Sequence, residues 1–99
     1  MRLRWTRHAR EDLLAIEEYI ARDDPHAATS WVRRIREKAR QAADMPRSGR
    51  IVPEFGRDDI REMLLKSYRV VYRIAENPVE ILAVFEGHRL LTGLQTEEE

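Results

Sequence analysis

Between Ile60 and Ile74 the chain reads I-R-E-M-L-L-K-S-Y-R-V-V-Y-R-I. Apolar and polar residues alternate with a period near two, break at Lys66–Ser67, and alternate again. This is the pattern of two antiparallel strands joined by a tight turn. In the second strand Tyr68, Val70, Tyr72 and Ile74 point one way, and Arg69, Val71 and Arg73 point the other. One face can therefore pack on a core while the other presents guanidinium groups. The first strand adds Arg61 beside Glu62.

The rest of the chain is organised around this hairpin. Leu3 and Trp5 alternate with Arg2 and Arg4, a short first strand, and Thr6 is placed to cap the helix that follows. Ala9, Leu13, Ile16 and Ile20 fall on one apolar stripe, while Arg10, Glu11, Glu17 and Glu18 form a solvated face. Leu14 lies off the stripe and is expected to be exposed. Asp24 and Pro25 end this helix and start another, whose stripe is Ala28, Trp31, Ile35, Ala39 and Ala42 with Val32 beside them. So short a connection makes a helical hairpin, and the alanines let it lie close to a sheet.

From Asp44 to Asp59 prolines and glycines break every pattern, so this segment reads as a loop, pinned by Ile51, Val52 and Phe55. Val79–Glu86 is the last strand. Its middle, Ile81–Phe85, is apolar on both faces, as in a central strand. The order is β-α-α-β-β-β, an α+β domain with a helical hairpin on a small, antiparallel-rich sheet. The last three strands form a meander, and the first of the four strands lies beside the fourth. Residues 1–91 form the single domain and 92–99 an acidic C-terminal tail.

Composition narrows the classes. With 99 residues the chain holds one core, burying roughly two-thirds of its unfolded surface. There is no cysteine, which excludes disulfides and thiolate metal sites. His8, His26 and His88 have no second ligand at metal spacing, so neither metal nor cofactor is expected. The first residues lack a signal peptide's apolar run, and no segment is long enough to span a bilayer. A cytoplasmic location, away from membranes, is the default. Net charge is zero, which does not mark a nucleic-acid binder.

The groups able to do chemistry are Arg61, Arg69, Arg73, Glu86, His88 and Arg89, all on the last three strands or their ends. A metal-free ribonuclease needs a base, an acid and cations around the phosphorane. Glu86 or His88 could supply the first two and the arginines the third. The alternative is that these arginines pair with Glu62, Glu80 and Glu86 as surface ion pairs, worth under about 1 kcal/mol each. The residues alone leave both readings open.

A series of motifs resembles a known family. W-T-x-x-A-x-x-D-L-x-x-I-x-x-Y-I (Trp5–Ile20) and D-P-x-A-A (Asp24–Ala28) are followed by P-R-S-G-R-I-V-P-E (Pro46–Glu54). I-R-E (Ile60–Glu62), Y-R-V-V-Y-R-I (Tyr68–Ile74) and G-H-R (Gly87–Arg89) then come in order. Over about residues 3–91 the chain is similar to bacterial toxins of the RelE/ParE superfamily, also described as plasmid-stabilisation proteins. The opening hairpin, the G-R-x-V-P-E loop and I-R-E look like the ParE branch.

The resemblance implies the toxin of a type II toxin–antitoxin module that poisons DNA gyrase and blocks replication, with no catalytic residues of its own. Arg61, Arg69, Arg73 and Arg89 are then target-binding. The alternative branch, RelE-like, cleaves mRNA on the ribosome without a metal. It would use Arg61, Arg69, Glu86, His88 and Arg89 here. No tyrosine follows Tyr72, a departure from the nuclease pattern, and the histidine of the final motif is displaced by two positions. A third alternative is an inactive remnant that only binds antitoxin. The expected partner is a ParD-like antitoxin wrapping the helical hairpin, with operator DNA reached only through it. Leu14, Tyr19, Leu90, Leu91 and Leu94 are its candidate contacts.

Overall fold

The computed structural model describes residues 1–87. His88, Arg89, Leu90, Leu91 and Leu94, to which the sequence assigns roles, lie outside the described residues. The elements are β1 (Leu3–Trp5), α1 (Arg7–Ala21), α2 (Pro25–Asp44), a 3-10 turn (Pro46–Ser48), β2 (Arg50–Ile51), β3 (Ile60–Leu65), β4 (Tyr68–Arg73) and β5 (Val79–Glu86).

Both helices begin where their capping residues require. The Thr6 hydroxyl accepts a hydrogen bond from the Ala9 N–H at 3.2 Å, and the Asp24 carboxylate accepts one from Ala27 at 3.1 Å, with Pro25 opening α2. Each satisfies an N–H that the first helical turn leaves without a partner. Thr6 does more, because its hydroxyl also donates to the Ile81 carbonyl at 2.8 Å and so ties α1 to β5.

The five strands form one sheet in the order β1-β5-β4-β3-β2. β1 runs parallel to β5, with Leu3 opposite Val79 and Trp5 opposite Ile81. All other neighbours are antiparallel. The two-helix crossover from β1 is what allows that parallel pairing, since a tight turn can join only antiparallel strands. β5 is thus internal, in keeping with its apolar run. The β3–β4 hairpin closes at Leu65 and Tyr68, and Lys66 takes a left-handed φ of 55° in the turn.

The segment read from sequence as a loop contributes the 3-10 turn and the short edge strand β2, where Arg50 pairs with Glu62 and Ile51 with Arg61. Val52 is fully buried, while Ile51 is exposed. A strand this short gains its pairing from β3 rather than from its own composition, so no local pattern announces it.

Each face of the sheet has its own core. On one, Met63, Leu65, Val70, Tyr72, Val79, Ile81 and Val84 pack against Ala9 and Leu13 of α1 and Ile35, Ala39, Ala42 and Ala43 of α2. On the other, Val71, Ile60, Leu82 and Ala83 pack under Val52, with Phe55 and Phe85 alongside. The pairing of β4 with β5 slips between Val71 and Tyr72, which face Ala83 and Ile81. That irregularity turns both Leu82 and Ala83 toward the loop. Among the described residues no helix is long and apolar enough to cross a membrane.

The two caps should differ in worth. Thr6→Ala removes a cap and a buried bond to β5 together, and should cost about 2 kcal/mol. Asp24→Ala, at an exposed cap, should cost about 1 kcal/mol. Urea unfolding of the two variants checks the ranking, and equal losses would deny Thr6 its second role.

Candidate functional site

The loop between α2 and β3 is clamped to the sheet by side chains from the hairpin. The Tyr72 hydroxyl, rising from β4, donates to the Pro46 carbonyl at 2.5 Å and accepts from the Gly49 N–H at 3.1 Å. A Cβ on Gly49 would stand 2.2 Å from that hydroxyl and 2.8 Å from the Glu62 carbonyl oxygen, so only glycine fits. Arg61 closes the same stretch from β3. Its guanidinium donates to the carbonyls of Arg47 and Gly49, at 3.2 and 3.0 Å, and to Asp58 at 2.7 Å. Burial pushes the Tyr72 phenol up, against the pull of Gly49 and Arg61.

The opposite face holds a second clamp built on a buried carboxylate. The Glu62 side chain is 0% exposed and is paired by Arg69 and Arg50. Arg69, 6% exposed, also takes the Glu54 carboxylate in a bidentate pair, both bonds 2.8 Å, and lies 5.2 Å from the centre of the Phe85 ring. Stripping water from a carboxylate costs several kcal/mol unless hydrogen-bonded charge is supplied in its place. Here two arginines and two glutamates balance. The Arg69 guanidinium is held charged: the Glu54 bonds raise its pKa most, burial opposes, and Glu62 adds to the rise. At the other end of this face Glu80 on β5 is bonded by Arg4 from β1 and Arg73 from β4, across three neighbouring strands.

Among the described residues, the candidates Arg61, Arg69, Arg73 and Glu86 therefore do not converge. Arg61 stands opposite Tyr72 on the helix-covered side of the sheet, while Arg69 and Arg73 lie on the loop-covered side. Glu86, opposite Tyr68, lies beside the helices instead. The face expected to present guanidinium groups is covered, because the segment from Val52 to Phe55 lies over it and supplies Glu54. Glu54, Arg50, Asp58 and the Tyr72 hydroxyl were not singled out by sequence. The one local signal for them is a glutamate, Glu62, at an interior position of an alternating strand.

Leu14 and Tyr19, the expected antitoxin contacts on α1, are 56% and 69% exposed and open onto different clefts. Leu14 lines an apolar cleft of about 310 Å³ with Trp5, Leu13 and Val32. Tyr19 lines one of about 200 Å³ with Ile16, Tyr68, Asp12 and Glu86. Tyr68 packs edge-on against Trp31 at 5.4 Å, and burial, then Glu86 and Tyr19, raise its pKa. Among the described residues no group of acids and histidines is arranged to hold a metal.

Comparison with known proteins agrees with this geometry. The profile of the family described as ParE toxin of type II toxin-antitoxin system, parDE, matches residues 3–91. The chain belongs to the ParE toxin family. It is 41% identical over 91 residues to the Y4kP protein of Sinorhizobium fredii, covering 89% of this chain and 90% of that one. It is 31% identical over 87 residues to Toxin RelE2 of Caulobacter vibrioides, covering 87% and 94%. A chain of the chromosomal ParDE TA system from P. aeruginosa superposes with a TM-score of 0.72 at 26% identity, over 87% of this chain and 95% of that one. Three of the segments by which the sequence resembles ParE toxins, Pro46–Glu54, Ile60–Glu62 and Tyr68–Ile74, form the two clamps.

Arg69→Ala takes from Glu62 its buried partner, leaving only the exposed Arg50, and should cost about 3 kcal/mol, while Arg50→Ala, at a side chain 57% exposed, should cost under about 1 kcal/mol. Similar losses in chemical unfolding would contradict the network. Asp58 behaves differently. Hydrogen bonds from Arg47, then Arg61, hold its carboxyl below the ordinary 3.8. Its contribution to stability is thus intact above pH 3.8 and is lost as pH falls through the lowered value. Asp58→Asn should lower stability by a constant amount above pH 3.8 and flatten the fall below it.

Proposed function

We propose that this toxin acts on DNA gyrase by binding rather than by catalysis, so that cleaved DNA accumulates and replication stalls. What carries the reading is the separation of the candidate groups. A metal-free ribonuclease needs its base, acid and cations around one phosphate. Here Arg61 and Arg69 occupy opposite faces of the sheet, and Arg69 is saturated by Glu54 and Glu62. Target binding by Arg61, Arg69 and Arg73 is then exercised through the loop and sheet ends they hold in place, with Arg89 following β5.

A ParD-like antitoxin restrains the toxin in the cytoplasm by covering the helical hairpin at Leu14 and Tyr19, with Leu90, Leu91 and Leu94 as further contacts. Operator DNA is reached only through that antitoxin. The exposure of Leu14 and Tyr19 supports this, as does the likeness to a chain solved within a ParDE system. The likeness to a toxin named RelE2 favours a second reading, cleavage of mRNA on the ribosome.

Purified protein added to gyrase supercoiling reactions should reduce supercoiling and leave cleaved DNA at micromolar concentration. Expression in cells should induce the DNA-damage response while transcripts stay intact. Transcripts cut at codons, with gyrase unaffected, would replace this reading with the second.

A further inference from the structure

A cleft of about 360 Å³ lies at the end of the β3–β4 hairpin, beside the clamp on the buried carboxylate. It is lined by Arg50 of β2, Leu64 of β3, Lys66 and Ser67 of the turn, Arg69 of β4 and Gly87. The Gly87 N–H donates to the Ser67 carbonyl at 2.5 Å and holds the end of β5 against the turn. Arg50 is anchored from beneath, because its Nε donates to the fully buried Glu62. Its two terminal nitrogens take no bond among the described residues, and neither does the Lys66 ammonium or the Ser67 hydroxyl.

The acids on this face are already engaged. Glu62 is taken by Arg50 and Arg69, and Glu54 by Arg69. Those two arginines and two glutamates cancel, so Lys66 leaves the cleft with positive charge in excess. Glu86, the acid at the end of β5, lines the cleft on the helix side instead. Arg50, Lys66 and Ser67 thus bring donors without a protein acceptor to one cavity where positive charge prevails. That combination suits an anion with several oxygen acceptors.

We propose that this cleft holds a short stretch of the phosphodiester backbone of DNA. Arg50 and Lys66 engage separate phosphates, and the Ser67 hydroxyl donates to a phosphate oxygen. The spacing favours a chain of phosphates over a single ion. Arg50 stands opposite Glu62, and Lys66 lies four positions beyond Glu62, roughly 13 Å along an extended strand. Lys66 also holds a left-handed φ of 55°, where glycine is less strained, so the turn gives up stability to carry an ammonium. Phosphate contacts position a protein on a duplex without reading its sequence. They are therefore separate from the operator contacts proposed for the antitoxin. The inference rests on the gyrase reading only for the source of the DNA, the duplex that gyrase holds.

The probe is a short DNA duplex titrated at low salt into the labelled full chain. The amides of Arg50 and Ser67 should shift before those of α2. Log affinity should fall against log salt with a slope of about −2, as expected for two phosphates engaged. Arg50→Gln and Lys66→Gly should each reduce that slope by about one. Lys66→Gly should unfold at the temperature of the parent or above it. Arg36→Gln, at an arginine beside Trp5 and outside the cleft, should leave the slope unchanged.

An equal effect of Arg36→Gln would overturn the proposal, as would the absence of any shift at submillimolar duplex. Inorganic phosphate that displaces the duplex at equal phosphate concentration would overturn it in favour of a free ion. An RNA duplex bound at least about tenfold more tightly would overturn it in favour of the ribosomal reading. None of these measurements contains gyrase. A chain that binds the duplex yet leaves gyrase unaffected would sink the gyrase reading alone, and the reverse result would sink this one alone.

Discussion

A carboxylate buried in the sheet sets the terms for much of this molecule. Glu62 sits on an interior position of β3 with no access to solvent, and an unpaired charge there would cost more than the domain could spare. Its pairing fixes Arg69 on the next strand and Arg50 on the edge. Arg69 in turn fixes Glu54, and so the segment that roofs the second core. That roof lets Val71, Leu82 and Ala83 be apolar on a face that would otherwise meet water. Gly49 belongs to the same constraint, since it must pass close to the backbone of Glu62 to reach β2.

This changes what the hairpin's arginines mean. In sequence they look like a face offered to a phosphate or a partner. In the fold Arg61, Arg69 and Arg73 are each engaged by carboxylates, and Arg61 by loop carbonyls as well. Among the described residues, apolar and charged groups face solvent together in the clefts flanking α1.

Much of the architecture is legible in the sequence because local rules agree with the global result. Thr6, Asp24 and Pro25 mark the helix starts, the hairpin follows its period of two, and the apolar run of β5 announces an internal strand beside β1. Leu14 falls off its helical stripe and is exposed. What could not be read depends on distant partners. Arg50–Ile51 becomes a strand only because Glu62 and Arg61 are there to pair with it. That Arg61 and Arg69 lie on opposite faces follows from alternation through the turn. That Arg69 is roofed by Glu54 follows from nothing within the hairpin. The slip at Leu82 is hidden inside an apolar run whose pattern reads the same in either register.

On the proposed reading, Arg69 serves the toxin by fastening the loop rather than by touching a target. The direct test is the double variant Glu62→Leu/Arg69→Met, which removes the buried pair and leaves neither charge stranded. Growth inhibition is scored alongside amide-exchange protection of residues 50–57, with the parent chain as the toxic reference. Weakened protection of those amides, with toxicity falling alongside, is the predicted result. A folded variant with those amides protected and toxicity gone would contradict the account and return Arg69 to the target interface.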